Sequence, residues 1–301
     1  MRLTSTVPPV RIQAIPQWQG ALSDDAARRL PAGCRALAAL AGEVLGAEVR
    51  GVPVVADATA TVDGVGHRNA LVRNRDAVLA ALGPGGPVLT VGGDCGVDLV
   101  PVGFARHRYG PELTVAWFDA HADCNTADTT PSGAFHGMVL SALCGRMERR
   151  SAPPGRHSGA DAPAADAVDR DFDASPAVER GRAVLVGTRV FDPEERRAVA
   201  EGLVRHVPPP AEPAAVRDAV ADGPVYLHVD LDVLDPAAFD GTRYREPGGL
   251  TVDGLVAAID AASQGRVVGA SLTECATTDP VSLRRLVPVL EALGRALEPG
   301  R

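Results

Sequence analysis

Short apolar, β-branched runs alternate with longer Ala/Leu/Arg-rich segments along most of the chain. That alternation constrains the fold more than any other feature. The runs are VRIQAIP (10–16), PVLTVGG (87–93), LTVAWFD (113–119), RAVLVGTR (182–189), VYLHVDLD (225–232) and RVVGASLTE (266–274). They stay apolar at successive positions, so both faces of each strand must be covered. Between them, segments near 23–43, 69–82, 97–108, 137–147, 193–201, 212–221, 251–263 and 281–297 carry apolar residues at helical period. The pattern predicts an α/β chain, a three-layer α/β/α arrangement around a mostly parallel central sheet.

The chain of 301 residues is 46% hydrophobic but only 4% aromatic, so its core must be built from Val, Leu and Ala. We read residues 1–301 as a single domain. The segment 148–181, rich in Ala, Asp, Pro and Arg, breaks the periodicity and is expected to be a mobile surface excursion. A net charge of −8, with no arginine stripe interleaved with aromatics, argues against nucleic acid as a partner. The opening MRLTSTVPPVRIQAIPQWQG has no apolar leader and no run reaches membrane-spanning length, so we expect a cytoplasmic protein with no membrane partner. The cysteines (Cys34, Cys95, Cys124, Cys144, Cys275) are scattered and odd in number, unlike a disulfide framework.

Acidic residues and histidines gather at the C-terminal ends of the expected strands, where parallel sheets bind ligands. In WFDAHADCN, Asp119, His121 and Asp123 recur at period two, which places them on one side of an extended chain. In HVDLDVLDP, Asp230 and Asp232 do the same. Carboxylates crowded at the mouth of apolar strands stay ionised only if positive charge sits among them. A single D-x-D after a strand reads equally well as Asx turn chemistry. The two clusters together point instead to a pair of divalent ions. Cys95, in PVLTVGGDCGVDLV (87–100), follows another such strand, either as a small buried hydrophobe or as a further ligand.

These residues also carry a resemblance. GGDC (92–95), DAHADCN (119–125), SGAFHG (132–137), DLDVLDP (230–236) and Thr273–Glu274 occur in the order and spacing of the arginase/agmatinase ureohydrolases. The match runs roughly from residue 87 to residue 280. The resemblance implies a binuclear Mn²⁺ hydrolase acting on guanidino groups. Its metal ligands fall on Asp119, His121, Asp123, Asp230 and Asp232, with Asp119 and Asp230 as bridging carboxylates. Cys95 stands where arginases carry a histidine ligand, and a thiolate, being softer, leaves Zn²⁺ or Fe²⁺ open as alternatives to two Mn²⁺ per chain. His136 matches the proton-transfer histidine, and Asp123 would orient the nucleophile. Glu274 matches the carboxylate that holds the guanidinium.

Other matches favour arginases over agmatinases. Asn125 and Ser132 fall on positions that bind the α-carboxylate of an amino acid. GTRVFDPEE (187–195) resembles the segment that binds the α-amino group, which puts Asp192 and Glu195 there. Asp192 also reads as a helix N-cap before Pro193, and the two roles are compatible. Thr242 and Arg245, in DGTRYREPGG, are expected at the same mouth.

A thiolate in place of imidazole makes the cluster more negative and its nucleophile more basic, which suits a less basic guanidine. GGDC in this setting also resembles the Nω-hydroxy-L-arginine hydrolases. The expected reaction is therefore Nω-hydroxy-L-arginine to L-ornithine and hydroxyurea. Arginase chemistry on L-arginine, an agmatinase-type reaction and a non-catalytic metal-binding homologue stay open as alternatives. The partner implied is a small amino-acid substrate, with a homo-oligomer open.

Overall fold

The computed structural model describes residues 10–83, 86–147, 172–220 and 222–298. Its strands are β1 Arg11–Ile15, β2 Val49–Gly51, β3 Val88–Gly92, β4 Thr114–Phe118, β5 Ala183–Val186, β6 Val204–Val207, β7 Pro224–Asp230 and β8 Arg266–Thr273. They form one sheet in the order β2-β1-β3-β8-β7-β4-β5-β6. Every neighbouring pair is parallel. Among the described residues the sheet is thus wholly parallel, where the sequence reads only as mostly so.

The helices are α1 Asp24–Leu45, α2 Arg68–Ala81, α3 Leu99–Tyr109, α4 Val139–Leu143, α5 Pro193–Ala200, α6 Pro213–Ala219, α7 Val252–Ala262, α8 Pro280–Arg284 and α9 Val287–Ala296. They cover both faces of the sheet. On β7, Val225, Leu227 and Val229 point into the layer of α1, α6, α7 and α9. Tyr226 points the other way, into the layer of α2, α3, α4 and α5. β4 splits likewise, Ala116 and Phe118 against Val115 and Trp117. Each fully buried Leu or Val of these strands contributes roughly 1.5–3 kcal/mol relative to exposure. The apolar runs therefore set the three layers.

The structure departs from the sequence reading in three places. β2 and β6 are not expected from the sequence. Both are edge strands, VRG and VRHV, partly exposed, so neither has the two-sided apolar signature. The helix expected over 281–297 is two helices, because Pro288 near the start of α9 removes an amide that a continuous helix would need. The excursion expected over 148–181 lies partly outside the described residues, at 148–171. Its last part is packed: Phe172, Ala174 and Val178 are buried, and Val178 N–H donates to Leu143 at 2.8 Å. No helix among the described residues is long and apolar enough to cross a membrane.

One close approach ties α1 to the strand ends. A Cβ on Gly33 would stand 2.0 Å from the carbonyl oxygen of Cys275, just past β8. Nothing lies within 4 Å of the same position on Gly51, at the sheet edge. Gly33→Ala should therefore lower stability by about 1–3 kcal/mol or more, as overpacking does. Gly51→Ala should stay within about 0.5 kcal/mol of the parent. Urea unfolding of both variants checks this; equal midpoints would refute the packing described.

Candidate active site

Sheet order brings four strand ends together. β3, β8, β7 and β4 are consecutive neighbours. Their register pairs Val91 with Leu272, Asp230 with Thr273, and Phe118 with Val229, so the strands end nearly level. At those ends or just beyond them stand Cys95, Glu274, Asp230 with Asp232, and Asp119 with His121 and Asp123. The predicted ligands thus meet because of topology.

The cluster is dense and almost dry. Asp119 is 0% exposed, Cys95 1%, Glu274 2%, Asp230 and Asp232 3% each. Cys95 Sγ lies 3.0 Å from Asp230 Oδ2 and 3.3 Å from Thr273 Oγ1. His121 Nδ1 lies 3.0 Å from Asp232 Oδ2 and 3.4 Å from Asp119 Oδ1. Backbone amides orient the carboxylates: His121 N–H donates to Asp119 at 2.6 Å, Ala120 N–H to Asp232 at 3.1 Å, and Asp232 N–H to Asp230 at 2.7 Å. Trp117 Nε1 donates to Asp119 Oδ2 at 3.1 Å.

Behind the thiol, Asp94 holds the loop. It accepts from Gln17, Gly20 and Gly96 at 3.0, 2.8 and 2.9 Å, which fixes the turn that presents Cys95. Burial, and then the charge of Glu274, push the Asp94 carboxyl up to about 6.

Asp123 and Glu274 both adopt the left-handed backbone region, with φ of 52° and 61°. That conformation costs a non-glycine residue about 1–3 kcal/mol and persists only where the surroundings impose it. Here the Asp123 carbonyl accepts from Leu140 N–H at 3.0 Å, and Glu274 N–H donates to the Gly93 carbonyl at 2.9 Å.

Electrostatics explain why such a cluster calls for cations. Burial, followed by the charges of neighbouring carboxylates, drives the Asp119, Asp123 and Asp230 carboxyls upward. Burial, then Asp230, drives the Cys95 thiol upward. Burial opposes the charge on Asp232, but His121 and the Ala120 amide outweigh it and its pKa falls. Burial likewise opposes a charged His121, yet the carboxylates of Asp232 and Asp119 prevail and raise it.

The donor atoms fit a divalent pair. Among the described residues, three groups each bring ligand atoms within 4.8 Å of one another: Asp119–His121–Asp232, Cys95–Asp230–Glu274, and Cys95–Asp119–His228. Asp123 Oδ2, Glu274 Oε2 and His228 Nε2 are buried without a hydrogen-bond partner. A buried polar atom without a partner costs about 1–3 kcal/mol, which a bound cation offsets. Carboxylate, imidazole and thiol donors in this number suit a borderline divalent metal.

Beside the cluster opens a cleft of about 250 Å³, lined by His121, Asp123, Asp230 and Asp232. Asn125, Ser132, Asp192 and Glu195 stand on one wall, and His136 and Tyr244 border it as well. Asn125 Nδ2 donates to Asp192 Oδ2 at 2.8 Å. Glu195 accepts the amides of Cys124 at 3.0 Å and Asp192 at 2.9 Å, one on each oxygen. It thereby clamps the start of α5 onto the loop after β4. His136 Nδ1 lies 3.0 Å from Glu274 Oε1. Burial opposes charging His136, but Glu274 more than compensates and the imidazole pKa rises.

In the loop 240–249 the sequence points to Thr242 and Arg245 at the mouth. The structure corrects this. Thr242 is buried and donates to the Tyr244 carbonyl at 2.6 Å, and Arg245 is exposed. Tyr244 faces the cleft instead, its ring 5.4 Å from that of His121 and 5.8 Å from that of His136.

Sequence reasoning also passes over His228 and Asp98. Period two already put His228 on the face of Asp230, a signal present in VYLHVDLD.

Residues 20–281 match the sequence profile of the arginase family. The chain is 32% identical over 208 residues to an N(omega)-hydroxy-L-arginine amidinohydrolase of Streptomyces lavendulae, covering 69% of this chain and 67% of that protein. It is 33% identical to an arginase of Eremothecium gossypii over 66% of this chain, but spans only 49% of that relative's length. The fold superposes on an arginase of Entamoeba histolytica with a TM-score of 0.76, at 18% identity, covering 95% of this chain and 97% of the other. With that profile spanning most of its length, and with the aspartates and histidine of the family's motifs drawn together at four adjoining strand ends, this chain belongs to the arginase family.

Proposed function

We propose that the protein hydrolyses the guanidino C–N bond of an arginine-type amino acid, and that its preferred substrate is Nω-hydroxy-L-arginine, cleaved to L-ornithine and hydroxyurea. The observation that carries this reading is the Cys95 sulfur set among the carboxylates, 3.0 Å from Asp230. A thiolate adds negative charge where an imidazole would add none. The centre becomes less electrophilic, and a less basic guanidine is then the easier substrate. Similarity to a hydroxyarginine amidinohydrolase supports the same choice.

Two Mn²⁺ held by Cys95, Asp119, His121, Asp123, Asp230 and Asp232 would supply an activated water and Lewis acidity. The chain's own residues do the rest. Asn125 and Ser132 receive the α-carboxylate and Asp192 the α-amino group. Asn125 already orients Asp192 and keeps a second amide hydrogen for the ligand. Glu195 keeps that wall in place through its two backbone contacts. Glu274 pairs with the guanidinium and turns its carbon toward Asp123, which orients the nucleophile. When the bond to the side-chain nitrogen breaks, the departing amine needs a proton, and His136 gives it. Tyr244 borders the cleft on its outer side, beside His121 and His136.

One observation favours a second substrate. His136 beside Glu274 is the proton donor that the resemblance to arginases implies, and it serves the departing ornithine amine of plain L-arginine as well, so urea formation is the rival reading.

Manganese-loaded protein should turn over Nω-hydroxy-L-arginine with a higher kcat/KM than L-arginine, scored by ornithine, hydroxyurea and urea release. Faster turnover of arginine would reverse the preference, and no ornithine from either would end the reading. Asp192→Ala should raise KM for the amino-acid substrate about 10- to 100-fold, since it removes a hydrogen bond to a charged group worth about 1.5–3 kcal/mol.

His136→Ala should lower kcat by about 100-fold or more. A raised imidazole pKa keeps His136 charged to higher pH, so activity should fall as pH rises through that value. The variant should lose this alkaline limb, and an unchanged pH–rate profile would remove His136 from proton transfer.

A further inference from the structure

Under the carboxylate cluster lies a buried histidine that the reaction above does not use. His228 sits on β7, two residues before Asp230, and is 0% exposed. Trp117 stacks on its ring with centroids 3.4 Å apart and planes 12° from parallel. Its Nδ1 lies 2.6 Å from Asp98 Oδ2 and 3.2 Å from Ser271 Oγ. Asp98 also accepts from the Tyr226 hydroxyl at 3.4 Å and from the Ser271 hydroxyl. An ionised carboxylate only accepts, so His228 donates from Nδ1. Nε2 then carries the lone pair, and it has no hydrogen-bond partner.

A core histidine kept only for packing would have both nitrogens satisfied. This one is held as metal-binding imidazoles are held, one N–H fixed on a carboxylate and the other nitrogen presented bare. What it is presented to is a set of ligand atoms. A ring nitrogen of His228, Cys95 Sγ and a carboxylate oxygen of Asp119 lie within 4.8 Å of one another. Nδ1 is committed to Asp98, which leaves Nε2 for that role.

We propose that His228 is itself a metal ligand, binding through Nε2 the same divalent ion as Cys95 and Asp119. One ion position is then rich in nitrogen and sulfur, and the other, at Asp119, His121 and Asp232, is rich in oxygen. Asp98 is the positioning residue that fixes the ring. The first position favours softer ions such as Co²⁺ or Zn²⁺ over Mn²⁺. The inference rests on reading the cluster as a two-ion centre.

The test uses the full chain, stripped and reloaded with Co²⁺. Bound ions are counted after desalting, imidazoles per bound pair by X-ray absorption, and sulfur ligation by the near-ultraviolet thiolate-to-cobalt band. The wild type should hold two ions with two imidazoles per pair, and His136→Asn should keep both counts. His228→Asn retains an amide that donates to Asp98 and deletes Nε2. It should keep the thiolate band, drop to one imidazole per pair, and weaken one ion's binding about 100-fold or more, beyond the loss typical of an outer-shell change. One imidazole per pair in the wild type, or unchanged count and affinity in His228→Asn, overturns the proposal while leaving the two-ion reading intact. A wild type that binds no ions overturns both. If His228→Asn fails to fold, the wild-type imidazole count decides alone.

Discussion

Like charges brought together without water are the constraint on which the rest of this structure depends. Asp119, Asp123, Asp230, Asp232 and Glu274 are each at most 5% exposed and share one end of the sheet. In bulk water such a group would ionise with little penalty. Buried, each neighbour raises the cost of the next charge, and protonation or cation binding must relieve it. The surrounding fold makes that choice acute by fixing the carboxylates with backbone amides, as Ala120 and His121 do for Asp232 and Asp119. Amide donors favour the ionised form, so relief by protonation works against them. Cations satisfy both demands.

The sheet makes this crowding affordable. β3, β8, β7 and β4 are the middle strands of eight, covered by helices on both faces. Their ends can be held in place because nothing beneath them is free to relax. Directly below the carboxylates runs a buried polar column of Asp98, Tyr226, His228 and Ser271, hydrogen-bonded to one another through Asp98, with only His228 Nε2 among these contacts left bare. At the rim, Gly33 lets α1 approach the chain leaving β8, and Asp94 anchors the turn leaving β3. The site is therefore carried on the short segments that leave these core strands, with Tyr244 and Ser132 on its outer side.

How much of this could be read from the sequence follows from the range of each signal. Interior strands announce themselves by apolar runs, and the acidic clusters that end them are local patterns, so Asp119, His121, Asp123, Asp230 and Asp232 were legible together. Edge strands β2 and β6 were not, because a half-exposed strand of three or four residues has no distinctive pattern. The mouth residue Tyr244 was not legible either: loop geometry decides whether Thr242, Tyr244 or Arg245 turns inward, and no periodicity constrains it. His228 is the instructive case. Its spacing from Asp230 put it on the right face, but its meaning depended on strand order. Only when β7 lies beside β4 and the turn after β3 supplies Asp98 does that histidine have one nitrogen tethered and the other bare.

The sulfur at residue 95 then takes a different meaning. Considered alone, exchanging an imidazole for a thiolate adds a negative charge to an already acidic centre and removes a neutral nitrogen donor. With His228 directed at the same point, the nitrogen is restored from below while the sulfur remains. The number of donors is kept or increased, and the charge still shifts negative. The two ion positions also cease to be alike, since the carboxylate-rich one with His121 stays hard. With ions bound, the position at His228 and Cys95 would offer the softer donors and the position at His121 and Asp232 the harder ones. His121 and Asp232 of the harder position line the cleft, whereas Cys95 and His228 are not among its lining residues.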